Sequence, residues 1–137
     1  MEKQFYIGNY KKEAKRKGGW FIGGDHFMTE DDLRKDNRFE VKYWEFAPGK
    51  TEHETKMLLC ATELTIILRG KIDGTADKEK IILETGDYIL IPPKVENGFP
   101  ENVFEYVEGL TIKIPSVRDD KVTGDKLAVI KEIIAKK

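Results

Sequence analysis

The residues of this chain best suited to acid–base or metal chemistry are His26, His53 and Glu63. An imidazole can accept a proton near neutral pH, and imidazole nitrogens and carboxylate oxygens are common metal ligands. Because His26 and His53 are the only two histidines, one copy of the chain cannot supply three imidazoles to a metal. His53 and Glu63 are the best candidates for a catalytic base.

Glu63 lies in an apolar segment, where a carboxylate is costly to bury unless it is paired. Arg69 shares its face by strand parity, but six residues of strand place it roughly 20 Å away. Lys113 or His53 is the better candidate for the partner of Glu63. The alternative is a purely structural role, in which Glu63 bonds to neighbouring strands.

Two further groups of residues have a functional and a simpler interpretation. Asp25 and His26 could form a general-base dyad, but neighbours on a strand point to opposite faces, which favours a loop histidine with no role. Tyr43 and Trp44 also point to opposite faces. One of them should face a cavity, where an aromatic ring suits a sugar or another flat ligand, although core packing explains both equally well.

The elements that must position these residues are mostly strands. Apolar and β-branched residues alternate in short segments between turn signals, with no helical pattern among them, which indicates an all-β sandwich or barrel. The predicted strands span 39–46, 63–69, 80–83, 87–91 and 104–114, and the predicted turns are Asp73-Gly74, Thr85-Gly86 and Asn97-Gly98. Near the C-terminus, Leu127, Ile130 and Ile134 recur at helical spacing, which predicts one amphipathic helix over 123–136.

Two segments in this order resemble the paired motifs of the cupin superfamily: 49–70, from Pro48-Gly49 through His53-Glu54-Thr55 and Glu63 to a strand-closing Gly70, and 86–97, from Gly86 through Pro92 to Asn97. The resemblance implies a double-stranded β-helix, or jelly-roll barrel, with one C-terminal helix. It implies a single cupin domain over 1–137, with N-terminal strands and loops over 1–38, the barrel core over 39–115 and the helix over 123–136.

The same resemblance implies a ligand set that departs from the family pattern of three histidines and one glutamate. His53 matches the first histidine of the pair and Glu63 the glutamate, whereas Thr55 and Asn97 stand where histidines are usual. Counted back from Glu63, the ligand positions fall instead near 56–59, which cannot bind a metal. No cofactor is therefore favoured; a divalent transition metal, if bound, would use His53 and Glu63. The implied ligand-binding set is His53, Thr55, Glu63, Asn97 and Tyr43.

Composition limits the classes of partner. The 137 residues are 36% charged, yet the net charge is only -1, so a general nucleic-acid binder is not indicated. The basic run 11–17 is interpreted as a solvated face, and Cys60 as a small buried residue. No segment is apolar enough to span a membrane, and a cytoplasmic location is expected. A homodimer formed through an edge strand at 5–7 or 20–22 is expected from the family and from the need to cover a sheet edge.

Two functions follow from these residues and the resemblance. The first is a small barrel that binds a small polar ligand, sugar-like or a carboxylate, without a three-histidine metal site. The second is a carbohydrate isomerase or epimerase with Glu63 or His53 as the base, with or without a weakly held metal. The depleted ligand set favours the first, and it disfavours an oxygenase most.

Overall fold

The computed structural model describes residues 5–16, 18–25 and 28–137, so His26 of the predicted Asp25–His26 dyad lies outside the described residues. A short helix, α1 (Tyr10–Glu13), and a 3₁₀ turn (Ala14–Arg16) precede ten strands and a C-terminal helix, α2 (Gly124–Ala135). The strands are β1 (Trp20–Ile22), β2 (Glu40–Phe46), β3 (Gly49–Lys50), β4 (Lys56–Leu58), β5 (Thr62–Ala76), β6 (Glu79–Glu84), β7 (Tyr88–Ile91), β8 (Asn97–Gly98), β9 (Asn102–Ile114) and β10 (Lys121–Thr123).

The strands form one antiparallel sheet that curls on itself, in the order β1-β2-β9-β5-β8-β4-β10. β3 pairs with β9, whereas β6 and β7 pair with β5. The two long strands, β5 and β9, pair with each other and connect the remaining parts of the sheet. The predicted all-β architecture with one C-terminal helix is confirmed. No helix within the described ranges is long and apolar enough to cross a membrane.

Cross-strand register arranges the inward side chains of β2, β9 and β5 in layers, because directly opposed residues share a face. Along the barrel the layers change from charged, through hydroxyl-bearing, to aromatic and aliphatic. They are Glu40, Lys113 and Glu63; then Lys42, Thr111 and Thr65; then Trp44, Gly109 and Ile67. One barrel thus contains a polar end and an apolar end.

The apolar end is the main core. Its buried residues are Ile67, Ile72, Leu83, Val103 and Val107, and Trp44, Ile81, Ile89 and Phe99 pack against them. A second cluster of Met57, Val122 and Leu127 holds α2 against β4 and β10. Ile130 also contacts this cluster, whereas Ile134 is 39% exposed, so only part of the predicted apolar stripe is covered.

The interpretation of Gly70 as the end of a strand is wrong. β5 continues through Gly70 to Ala76, and the turn lies at Asp77 and Lys78, both with positive φ. Asp73-Gly74 therefore lies inside the β5–β6 ladder and not at a turn. Register shifts between Ile67 and Ile72 change which side chains of β5 lie on each face of the sheet.

Two other predictions need correction. Asn97-Gly98 is a short strand, β8, that pairs with β4 and β5 and is not a free turn. Cys60 is exposed, not buried. Its backbone N–H donates to Asp120 Oδ1 at 2.7 Å, which holds the residue in a surface bend between β4 and β5.

Candidate ligand-binding cavity

The polar end of the barrel contains a cavity of about 800 Å³. It is bounded by β2, β9 and β5 on one side and by β4, β8 and β10 on the other. Three of the predicted site residues, His53, Glu63 and Asn97, line it. This volume lies within the usual range for small-molecule sites, which is roughly 300–1,000 Å³.

Lysines dominate the ionic lining of the cavity. Among the described residues that line it, the lysines are Lys42, Lys50, Lys56, Lys113 and Lys121, and the carboxylates are Glu52, Glu54 and Glu63. Of these lysines, the sequence predicts only Lys113 as a partner of Glu63. The sequence did contain a signal for Lys42, because strand parity places it on the same face of the predicted strand 39–46 as Trp44.

Lys56 is the partner of Glu63. Its Nζ donates to both carboxylate oxygens, at 2.6 Å to Oε1 and 2.7 Å to Oε2. The Glu63 side chain is 6% exposed and that of Lys56 is 18% exposed, so the pair is largely removed from water. Lys113 lies directly opposite Glu63 in the β5–β9 register and also interacts electrostatically with it. The predicted Lys113 neighbour is therefore present, but the closer contact comes from Lys56.

Burial lowers the pKa values of three of these lysines. Loss of hydration lowers the pKa of Lys42, Lys56 and Lys113 below the ordinary value of 10.5. Mutual repulsion, including that from Lys121, lowers the pKa values further. The Glu63 carboxylate opposes these effects by attracting all three ammonium groups. The cavity therefore holds positive charges that the carboxylates around them do not fully compensate.

Trp20 of β1 lies beside two of the ammonium groups. Lys42 Nζ is 5.6 Å and Lys113 Nζ is 5.0 Å from the centre of its indole ring, within the range of cation–π contacts. Within the described part of the chain, Lys42, Lys113 and Lys121 form no ion pair shorter than 4 Å. Two ammonium groups thus lie beside one aromatic ring without a bonded anion.

His53 carries an unpaired polar atom. Its Nε2 is buried and is the one buried side-chain nitrogen or oxygen, among the described residues, that has no hydrogen-bond partner. A Cβ on residue 98 would lie 2.7 Å from His53 Cδ2, so Gly98 allows the ring to pack closely on β8. An unpaired buried nitrogen on a cavity wall is a group that a ligand can satisfy.

Of Tyr43 and Trp44, it is Trp44 that lines the cavity. Its Nε1–H donates to Thr111 Oγ1 at 2.9 Å, and a Cβ on residue 109 would lie 2.2 Å from the indole ring. Gly109 therefore allows the ring to lie against β9. The Tyr43 hydroxyl lies 2.9 Å from Glu108 Oε2 on the other face of the sheet, and Tyr43 is not among the residues that line the cavity.

Thr55 is not among the residues that line the cavity either. Its hydroxyl donates to Glu96 Oε2 at 3.1 Å, and Glu96 in turn accepts from Lys131 of α2 at 2.8 Å. The side chain of Thr55 thus connects the loop before β4 to the helix. Asn97 does line the cavity; it is buried, and its Nδ2–H donates to the backbone oxygen of Val95 at 3.1 Å.

The donor set does not fit the divalent metal that the resemblance implies. Both oxygens of Glu63 accept from an ammonium group, and Lys113 adds positive charge beside it. No cluster of three or more His, Cys, Asp or Glu side chains suited to a metal occurs among the described residues. A divalent cation would have to displace the Lys56 ammonium group from Glu63 and would be repelled by the positive charge of Lys113.

No protein-family model and no curated protein sequence matches this chain. Solved structures do match its fold. A Klebsiella pneumoniae protein with a double-stranded β-helix domain aligns over 90% of this chain and 100% of its own, with 12% identity and a TM-score of 0.62. Streptomyces PAC13, a nucleoside dehydratase solved with uridine, aligns over 65% of this chain and 69% of its own, with 14% identity and a TM-score of 0.56.

A cupin domain from Schizosaccharomyces pombe aligns over 65% of this chain and 60% of its own, with 17% identity and a TM-score of 0.51. These similarities agree with the order and spacing of the two motifs and with the curled antiparallel sheet. The chain therefore has the cupin superfamily fold, a double-stranded β-helix with one C-terminal helix.

Proposed function

We propose that this protein binds a small polar ligand, a carboxylate or a sugar-like molecule bearing negative charge, in the lysine-lined cavity. The observation that supports the proposal is the convergence of Lys42, Lys113 and Lys121 on one cavity without bonded anions. Lys42 and Lys113 are partly buried, and such ammonium groups are unfavourable unless they are paired, whereas Lys121 is exposed. An anionic ligand would supply the missing charge.

The remaining lining suits the rest of such a ligand. The hydroxyl groups of Thr65 and Thr111 lie 3.3 Å apart on the cavity face of the sheet, and each can donate or accept. Asn97 and the unpaired Nε2 of His53 add polar groups on the opposite wall. A ligand with several oxygen atoms would find both donors and acceptors here.

Removing one cavity lysine should weaken anion binding. We expect Lys42→Gln to lower the affinity for a dicarboxylate such as malate by roughly tenfold or more, because a hydrogen bond to a charged group contributes about 1.5–3 kcal/mol. Isothermal titration calorimetry on a panel of carboxylates and acidic sugars measures this. Lys126→Gln, on the exposed face of α2, makes the same charge change outside the cavity and is the control. Equal affinities in the two variants, or no binding of any anion, would contradict the proposal.

Affinity should also fall as the pH rises. The pKa values of Lys42, Lys56 and Lys113 lie below 10.5, so these ammonium groups deprotonate before exposed lysines do. Anion affinity is then greatest at neutral pH and declines through the window below 10.5, with proton uptake on binding.

The free energy of unfolding of the ligand-free protein should rise with pH in the same window, because the unfolded lysines bind more protons. Calorimetric titrations between neutral pH and 10 test the fall in affinity, and urea denaturation over the same range tests the rise in the free energy of unfolding. An affinity that increases with pH would contradict the prediction.

A carbohydrate isomerase or epimerase is the second candidate function, and one observation favours it. The unpaired Nε2 of His53 is available to accept a proton from a ligand, whereas both oxygens of Glu63 are engaged by Lys56. His53 is thus the better candidate for the base. Exchange of deuterium from heavy water into a bound sugar, followed by NMR, tests this role; no exchange in wild type would remove it.

A homodimer is also proposed. β1 lies at one end of the sheet order and pairs with β2, which makes it the edge strand expected at 20–22. The alternative segment at 5–7 is not a strand. A second copy pairing along β1 would cover this edge. Light scattering at micromolar concentrations should give twice the mass of one chain; a monomer would refute the proposal.

A further inference from the structure

We propose that the cavity is a two-part site for a phosphate monoester of a flat ring compound, with the phosphate among the lysines and the ring against Trp44. This inference rests on the proposed ligand-binding function. It adds the class of the ligand and its orientation in the barrel.

The charge of the polar end matches a phosphate monoester better than a single carboxylate. Among the described residues that line the cavity, the lysines are Lys42, Lys50, Lys56, Lys113 and Lys121, and the carboxylates are Glu52, Glu54 and Glu63. Five ammonium groups against three carboxylates leave two positive charges. A phosphate monoester carries about −1.5 to −2 near neutral pH, whereas one carboxylate carries −1. A dianion therefore neutralises this group of residues.

The register places the aromatic ring next to the lysines and not among them. Lys42 and Trp44 lie two residues apart on the cavity face of β2, which separates their backbones by roughly 7 Å. Phe46 is two residues farther along the same face, with its ring centre 5.9 Å from that of Trp44. A ligand that extends along β2 therefore passes from a cationic end to an aromatic end, as a phosphorylated ring compound does.

The Trp44 ring is fixed in a position suited to stacking. The hydrogen bond to Thr111 and the close approach to Gly109 hold the indole against β9, and Trp44 lines the cavity. A ring whose orientation is already fixed loses little conformational entropy when a ligand stacks on it. Stacking is tolerant of the identity of the ring, so the class of ligand is defined by its flatness and its phosphate.

The test compares a complete ligand with its two halves. Calorimetry with uridine 5′-monophosphate, uridine and inorganic phosphate gives three affinities for the wild-type protein. We expect the monophosphate to bind at least tenfold more tightly than either half. Trp44→Leu should lower its affinity by roughly 5- to 150-fold, the range measured for base stacking, whereas Trp44→Phe, which keeps a ring, should lose less. Lys42→Gln should weaken the monophosphate and phosphate but not uridine, and circular dichroism checks that each variant is folded.

The outcomes separate this inference from the function on which it rests. If malate and phosphate bind but the monophosphate binds no more tightly than phosphate, the two-part site is refuted and the anion-binding function stands. If Trp44→Leu and Trp44→Phe lose affinity equally while both are folded, the ring is not stacked on Trp44 and the inference also fails. If no anion binds, both proposals fail together.

Discussion

Glu63→Gln is expected to lower the free energy of unfolding by about 3–5 kcal/mol, the range found when one partner of a buried ion pair is removed. The substitution preserves shape but leaves Lys56 without its bonded anion and beside Lys113. Urea denaturation at neutral pH, monitored by circular dichroism, measures the change. A loss below about 1 kcal/mol would show that water compensates the pair, because exposed pairs contribute that little.

A double-mutant cycle isolates the ion pair from other effects of the substitution. Lys56→Met should cost less than Glu63→Gln, because Lys113 remains opposite Glu63 as a second cation. The double variant Lys56→Met/Glu63→Gln removes one charge of each sign, so the net charge at the polar end is unchanged. We expect it to be more stable than Glu63→Gln alone. Additive single effects would mean that the two side chains are not coupled.

Gly70→Ala is expected to prevent folding or to cost more than about 4 kcal/mol, because it combines two penalties. The φ of Gly70 is +103°, which side chains rarely adopt, and a Cβ would lie 2.3 Å from the backbone oxygen of Tyr106. The next nearest atom is Val107 Cα at 2.7 Å, so both close contacts are with backbone atoms, which cannot move aside as the end of a side chain can. The soluble yield and the urea midpoint measure the effect.

Gly86→Ala is the matched control for this experiment. Its φ of +91° carries a similar backbone penalty, but no atom lies within 4 Å of the added Cβ. We expect a cost of about 1–3 kcal/mol, the range for a strained backbone conformation. The difference between the two variants therefore measures the close approach of β5 and β9. Equal losses would place the whole effect in the backbone conformation.

The order of the two motifs was sufficient to predict the barrel, and the helical spacing of apolar residues predicted the C-terminal helix. Motif glycines and strand periodicity act locally, so they can be recognised in the sequence. The orientation of Tyr43 and Trp44 could not be predicted in the same way, because both faces of β2 are covered. What selects Trp44 is the space above Gly109, which lies on another strand and is known only once the register is fixed.

The ion pair was missed for a related reason. Strand parity relates residues within one regular strand, and it fails where β5 shifts register between Ile67 and Ile72. Arg69 consequently lies outside the cavity, 3.7 Å from Glu108, although parity placed it on the face of Glu63. Lys56 belongs to β4, which pairs with β8 and β10 and not with β5. Its contact with Glu63 crosses the barrel interior, and no periodicity in the sequence reports such a contact.

The bond between Lys56 and Glu63 also affects how the protein depends on its surroundings. The positive charge beside this glutamate is covalently part of the chain, so it is present as soon as the chain has folded. A bound ion, in contrast, depends on its free concentration and competes with other ions for the same donors. The charge supplied by Lys56 cannot be extracted by a chelator or exchanged for the wrong metal. The charge that compensates Glu63 is therefore set by the sequence itself.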